Sequence, residues 1–137
     1  MFPQLFQNST VPVLQQVIGF AQTRHEVLVG NIANINTPGY RTRDLSVEGF
    51  HEKLTAAIAE RDHQNQPISE DLSASQAGDP IRQVSESLND ILYHDDTNVS
   101  IEKQVAEISK NQFMHNLAIS LMSSQFSLLE AAISERV

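Results

Sequence analysis

Asn31-Ile32-Ala33-Asn34-Ile35-Asn36-Thr37-Pro38-Gly39-Tyr40 is the stretch on which the reading of this chain turns. Upstream, apolar residues recur at Leu14, Val17, Ile18, Ala21, Leu28, Ile32 and Ile35, with His25 on the same line. Steps of three and four along one line are the stripe of an amphipathic helix. Thr10 is placed to cap it, and Pro12 sits in the first turn, where a missing N–H costs little. The stop is sharp. Pro38 disfavours helix at Thr37 and offers no donor, and Gly39 suits the positive φ of a type II turn. The three asparagines carry amides that donate and accept at once, so they can satisfy backbone groups left open at the helix end. Whether they do so within one chain or between copies stays open at this level. Tyr40 combines an apolar ring with a polar tip, suited to anchoring the segment that follows.

The C-terminal run has the most regular pattern. Ser100 is a good N-cap and Glu102 suits the first-turn dipole. Ile101, Val105, Ile108, Gln112, His115, Ile119, Met122, Phe126, Leu129 and Ile133 then alternate steps of four and three, the 3.5-residue period of a coiled-coil seam. From Phe113 onward a second stripe runs through Met114, Ala118, Leu121, Leu128 and Ala132. A helix apolar on two faces needs more than one neighbour. Other subunits can supply them, or a monomeric bundle can, using helices near Phe50 and Leu88. Polar Gln112 and His115 on the seam are the kind of residue that sets register and partner.

Between the two ends the chain is polar. Arg41 to Leu45 reads as an exposed connector. Ser46 can cap a shorter helix with Val47, Phe50, Leu54 and Ile58 on one face, a reading that Gly49 weakens. Glu60 to Pro80 reads as loop, with a turn at Gly78-Asp79-Pro80, and a short helix or extended arm precedes Asp95. The expectation is one mainly α domain over 1–137. It has an N-terminal helix over about 10–36, a connector, short helix and acidic middle over 37–99, and a C-terminal helix over 100–135. The two long helices pair.

The chain has 137 residues and a formal net charge of −8. Nearly all the excess lies between Glu60 and Asp96, where nine acids meet only Arg61 and Arg82. That is a solvated acidic segment, and the scattered Lys and Arg disfavour nucleic acid as a partner. Cysteine is absent, which removes disulfides, thiolate metal sites and Cys nucleophiles. No unbroken apolar run reaches about 18 residues, so no membrane insertion is expected, and the first residues lack the features of a secretory signal.

Catalytic signatures are missing. None of His25, His51, His63, His94 and His115 lies three or four residues from another, and His94-Asp95-Asp96 reads as an acidic turn rather than a ligand set. No phosphate-binding glycine loop or G-x-S-x-G elbow occurs. An enzyme is not expected, nor a cofactor or metal. His25 and His115 read as packing residues, with a pH-sensitive interface as the alternative.

Asn31-Ile32-Ala33-Asn34 followed by Thr37-Pro38-Gly39-Tyr40 resembles the N-terminal signature of bacterial flagellar axial proteins, the family of rod, hook and hook-associated subunits. Arg41 to Asp44, Phe50, and Asn98-Val99-Ser100 leading into Glu102, Gln112, Leu117 and Phe126 extend the likeness to its short, proximal-rod members. The chain departs from them at Asp95-Asp96-Thr97, where a glycine-containing turn is usual. The resemblance implies that the terminal helices pair as a coiled coil and that many subunits build a hollow drive shaft. It implies partners in other rod subunits, a membrane-ring adaptor protein at the rod base and the flagellar type III export apparatus. It places the protein in the basal body, crossing the periplasm after export without a cleaved signal. A different class of function is a small helical adaptor or secreted protein that binds one partner as a helical hairpin.

Overall fold

The computed structural model describes residues 9–64, 80–86, 92–95 and 100–134. Along the chain run α1 (Val11–Asn34), β1 (Thr42–Leu45), α2 (Val47–Gln64), α3 (Pro80–Glu86), β2 (Leu92–Asp95) and α4 (Ile101–Ser134). The fold is mainly α, and the two long helices lie against each other. They run antiparallel, because contacts that descend α1 from Asn31 through Arg24 to Ala21 ascend α4 from Gln104 through Glu107 to Asn111.

Local capping explains where most helices start. Ser100 Oγ accepts the Lys103 N–H at 3.3 Å. The carboxyl of Glu102 is held below its ordinary pKa, first by its own backbone N–H and then by Ser100. Ser46 Oγ accepts the Gly49 N–H at 2.9 Å, so Gly49 sits in the first turn of α2 rather than weakening its interior. Thr10 departs from expectation. Its side chain makes no capping bond, and Ser9 Oγ accepts the Val11 N–H instead.

The apolar core lies on one side of α1. Phe20, Leu45, Phe50, Leu54, Ala57, Ile81 and Val84 enclose it, with Val13, Val17, Val47, Ile58 and Met114 packed around them. The rings of Phe20 and Phe50 stack with centroids 4.1 Å apart. α3 closes this core against α1 and α2.

The segment read as an exposed connector is instead partly structural. Residues Thr42 to Leu45 pair antiparallel with Leu92 to Asp95, Thr42 opposite Asp95 and Leu45 opposite Leu92. Thr42 and Leu45 are buried. Four residues carry too short a pattern to announce a strand, and the partner lies about fifty residues away in sequence. His94 and Asp95 therefore belong to a strand and not to a turn. Both options entertained for the stretch before Asp95, short helix and extended arm, are present in succession. Gly78-Asp79 and most of the acidic segment lie outside the described residues.

Phe20 tests this core. Replacing it with alanine removes one ring of the stack and leaves a cavity, which should lower the unfolding free energy by about 3–5 kcal/mol. Denaturant titration of native and F20A protein measures it, and a loss below 1 kcal/mol would contradict the packing described.

Candidate assembly interface

Thr37 to Tyr40 forms the turn that the sequence announces. The Tyr40 N–H reaches the Thr37 carbonyl at 3.1 Å, with Pro38 and Gly39 between them and Gly39 at φ 75°. A side chain at that φ would be strained, hence glycine. The turn brings Tyr40 and Arg43 back onto the last buried residue of α1, Asn31.

Asn31 is completely buried, and its amide is saturated. Its Oδ1 accepts the Arg43 N–H at 3.0 Å and the Tyr40 hydroxyl at 3.1 Å. Its Nδ2 donates to the Arg43 carbonyl at 2.6 Å and to Gln104 Oε1 at 3.2 Å. One side chain thus joins helix, connector and C-terminal helix. Asn34 bonds back to the Gly30 carbonyl, and Asn36 is exposed. The amides of Asn31 and Asn34 thus bond within the chain.

About two turns back, Arg24 makes the second bridge. Its Nε and Nη2 clasp the Asp44 carboxylate at 2.8 and 2.7 Å, and Nη2 also reaches Glu107 at 2.9 Å. Arg24 is 6% exposed. Burial works against its charge, but the bonds to Asp44 and Glu107 outweigh that and hold the guanidinium above its ordinary pKa. Glu107 is held below the usual carboxylate range, first by its bond to Lys110 at 2.7 Å, against burial, and then by Arg24. Further along, Asn111 donates to the Ala21 carbonyl at 2.7 Å.

The buried line of α4 is therefore Gln104, Asn111 and Ala118. It is a true heptad spacing, but polar and small rather than apolar. Sequence reasoning passed over Arg24, Asp44, Gln104, Glu107 and Asn111. The available signal was Arg24 standing between Ala21 and Leu28 where a core residue belongs, together with the seven-residue repeat on α4.

The sequence-predicted packing residues divide accordingly. Ala21, Leu28 and Asn31 are buried, and Leu14, Val17 and Ile32 half-buried, on α1. On the α4 seam Ile108, His115 and Met122 are half-buried. Ile101, Val105, Gln112, Ile119, Phe126, Leu129 and Ile133 are exposed. On the other face Phe113 is 70% exposed, and Leu117, Leu121 and Leu128 are exposed as well. Of the motif, Ala33, Thr37, Pro38 and Gly39 face solvent. α2 and α3 leave most of the α4 stripes open, where the monomeric-bundle reading required them covered: Met114 packs against the core they form with α1, while Phe113, Leu117, Leu121 and Leu128 stay exposed.

α4 bears on the membrane expectation without overturning it. It is long and apolar enough, by length and composition, to cross a bilayer, with a mean hydropathy of 1.3 in its most apolar window. No unbroken apolar run reveals this, because Ser, Gln and Asn interrupt a stretch that carries no formal charge between Lys110 and Glu130. Among the described residues no three His, Asp or Glu side chains converge as a metal site would need.

Arg24→Met should be strongly destabilising, by roughly 3 kcal/mol, because it leaves the partly buried Asp44 carboxylate without the guanidinium that clasps it and Glu107 with Lys110 alone. The pH dependence has a definite sign. Glu107 has a folded pKa below its ordinary 4.5, so its contribution is complete above that pH and fades as the pH falls through the folded value. The stability difference between native protein and E107Q should hold steady from pH 7 to about 4.5 and shrink below it. A difference that grows on acidification would be inconsistent with this geometry.

No protein-family model matches the chain, and no solved structure gives a significant match. Five curated proteins do match, and all have the same name, flagellar basal body rod protein FlgB. The one from Aquifex aeolicus is 29% identical over 130 residues, 92% of this chain and 94% of its own length. The Bacillus subtilis protein is 21% identical over 132 residues, 93% and 95% of the two chains. That of Salmonella typhimurium is 25% identical over 118 residues, 81% and 83%. Agreement over nearly the whole length across distant bacteria accords with the Asn31–Tyr40 signature, and it makes the chain similar from end to end to the flagellar basal body rod proteins.

Proposed function

We propose that the chain is a structural subunit of the proximal rod of the bacterial flagellar basal body, polymerising through its terminal helices into the hollow shaft that transmits motor torque. One observation supports the assembly role above others. Within the monomer α1 and α4 are joined by buried polar groups, while the apolar stripes of α4 stay exposed. Large exposed apolar surface on a soluble chain marks an interaction site. At about 1.5 Å per residue α4 spans roughly 50 Å and α1 roughly 36 Å, so α4 runs well past its partner.

The partners in this reading are further copies and other rod subunits. At the base stands the membrane-ring adaptor, and during export the type III apparatus, which takes the chain without a cleaved signal. The location is the rod within the periplasm. The chain works without cofactor or catalysis. α4 packs on protein rather than lipid, because Asn111, Gln112, His115 and Asn116 fall within its apolar stretch and such groups are expensive in hydrocarbon.

Phe126→Asp and Ile119→Asp separate assembly from folding. Both sites are exposed in the monomer, so each variant should keep native stability to within about 0.5 kcal/mol. Each should nonetheless fail to restore swimming in a strain lacking the native gene. Normal swimming with either variant would remove α4 from the interface, and normal swimming in the clean deletion would overturn the rod reading itself.

A further inference from the structure

Among the described residues two buried side-chain atoms have no hydrogen-bond partner, Asn111 Oδ1 and His25 Nδ1. They come from facing helices and belong to the wall of one cavity of about 330 Å³. Ala21, Gln22, His25 and Glu26 of α1 line it, with Asn111, Gln112 and His115 of α4. An unpaired buried polar atom is costly, and two in one place call for a physical account.

Helix geometry sets the pair close together. Asn111 is 2% exposed, and its Nδ2 donates to the Ala21 carbonyl at 2.7 Å. A helical carbonyl points toward the residue four places on, so the Asn111 amide lies against the turn from Ala21 to His25. A helical side chain leans back over the preceding turn, which lays the His25 ring over that same turn. Exchanging the two amide atoms of Asn111 would set oxygen against oxygen, so Oδ1 is the end without a donor.

What the pair lacks is a proton. Both atoms are sealed from solvent, so neither water nor a group of another molecule supplies it. The ring itself does. With the single N–H of neutral imidazole on Nε2, both orphans are acceptors. The imidazolium has an N–H on each nitrogen, so Nδ1 becomes a donor and the complement of Oδ1. The torsion that turns a histidine ring is broad, and the cavity leaves the ring room to align. Of the two ring nitrogens only Nδ1 is sealed, so the charge keeps its contact with water through Nε2.

We propose that His25 and Asn111 form a proton-operated latch between α1 and α4. It is open while His25 is neutral and closed, by a charge-assisted Nδ1–H···Oδ1 bond, when the ring is protonated. Glu26 and His115 are the other titratable groups on the cavity wall. Glu26 favours the charged ring, and His115 opposes it once charged itself. Among the described residues α2, α3 and the strands add nothing to that wall. Arg24, Asp44, Glu107 and Lys110 are engaged with one another in a different cleft. The closed latch holds its proton more tightly than the unfolded chain does, so it adds stability in acid and loses it as the pH rises. The joint between the long helices thereby tightens from about pH 8 to about pH 5.5, the range in which histidine changes charge, whether or not the chain is part of a rod.

Denaturant titration of the full chain tests this. The unfolding constant of native protein divided by that of His25→Gln should fall about tenfold from pH 8 to pH 5.5, since the other histidines cancel in the ratio. The same fall should persist when both proteins also carry His115→Gln. A ratio that stays flat or rises on acidification, or a fall that vanishes with H115Q, would overturn the latch. NMR of the ring nitrogens in native protein covers the case in which a variant does not fold. At pH 5.5 the Hδ1 of His25 should exchange with water about tenfold more slowly than that of His115, and equal exchange would overturn the contact with Asn111.

Discussion

The fold hangs on the amide of Asn31. A buried asparagine is costly unless every donor and acceptor is met, and here both oxygen and nitrogen are used twice. The groups that meet them come from three places: the turn, the strand after it and the far helix. Folding the connector back and docking the C-terminal helix are therefore one event. Arg24 repeats the arrangement about two turns earlier with charges in place of amides, tying Asp44 on the strand to Glu107 on α4.

Joining two long helices through polar contacts has a consequence for the outer surface. Had Ile101, Val105 and Ile119 faced α1, the subunit would be a self-sufficient hairpin with little left to offer. Instead the heptad that meets α1 is Gln104, Asn111 and Ala118, and the apolar positions are turned outward on both flanks. Hydrogen bonds and ion pairs demand particular partners, whereas apolar faces accept any complementary one. That division gives the pair of helices a fixed geometry and keeps its adhesive surface for neighbours. The separate core around Phe20 and Phe50 steadies the N-terminal part of α1 without drawing on α4, apart from Met114.

Much of this was legible in the residues. Helical periods located α1, α2 and α4, Ser46 and Ser100 marked two starts, and Pro38-Gly39 defined the turn. Each depends on residues within a few positions of one another, so local chemistry suffices. The same reading failed at Thr10 because a neighbouring serine took the cap. It failed at Thr42 to Leu45 because a strand of four residues exists only through its distant partner.

The sequence by itself determined three of the helical segments, α1, α2 and α4, where the first long helix must stop and that α4 has more apolar surface than one neighbour can cover. Only the tertiary structure decided which line of α4 meets α1, that Asn31 and Arg24 are the joints, and which apolar faces remain free. The physical reason is rotational. A 3.5-residue period names a stripe but not its partner, and a rotation of about 90° about the helix axis exchanges a buried seam for an exposed one. That rotation is set by Arg24 and Asn31, whose partners on α4 lie 83 and 73 residues along the chain.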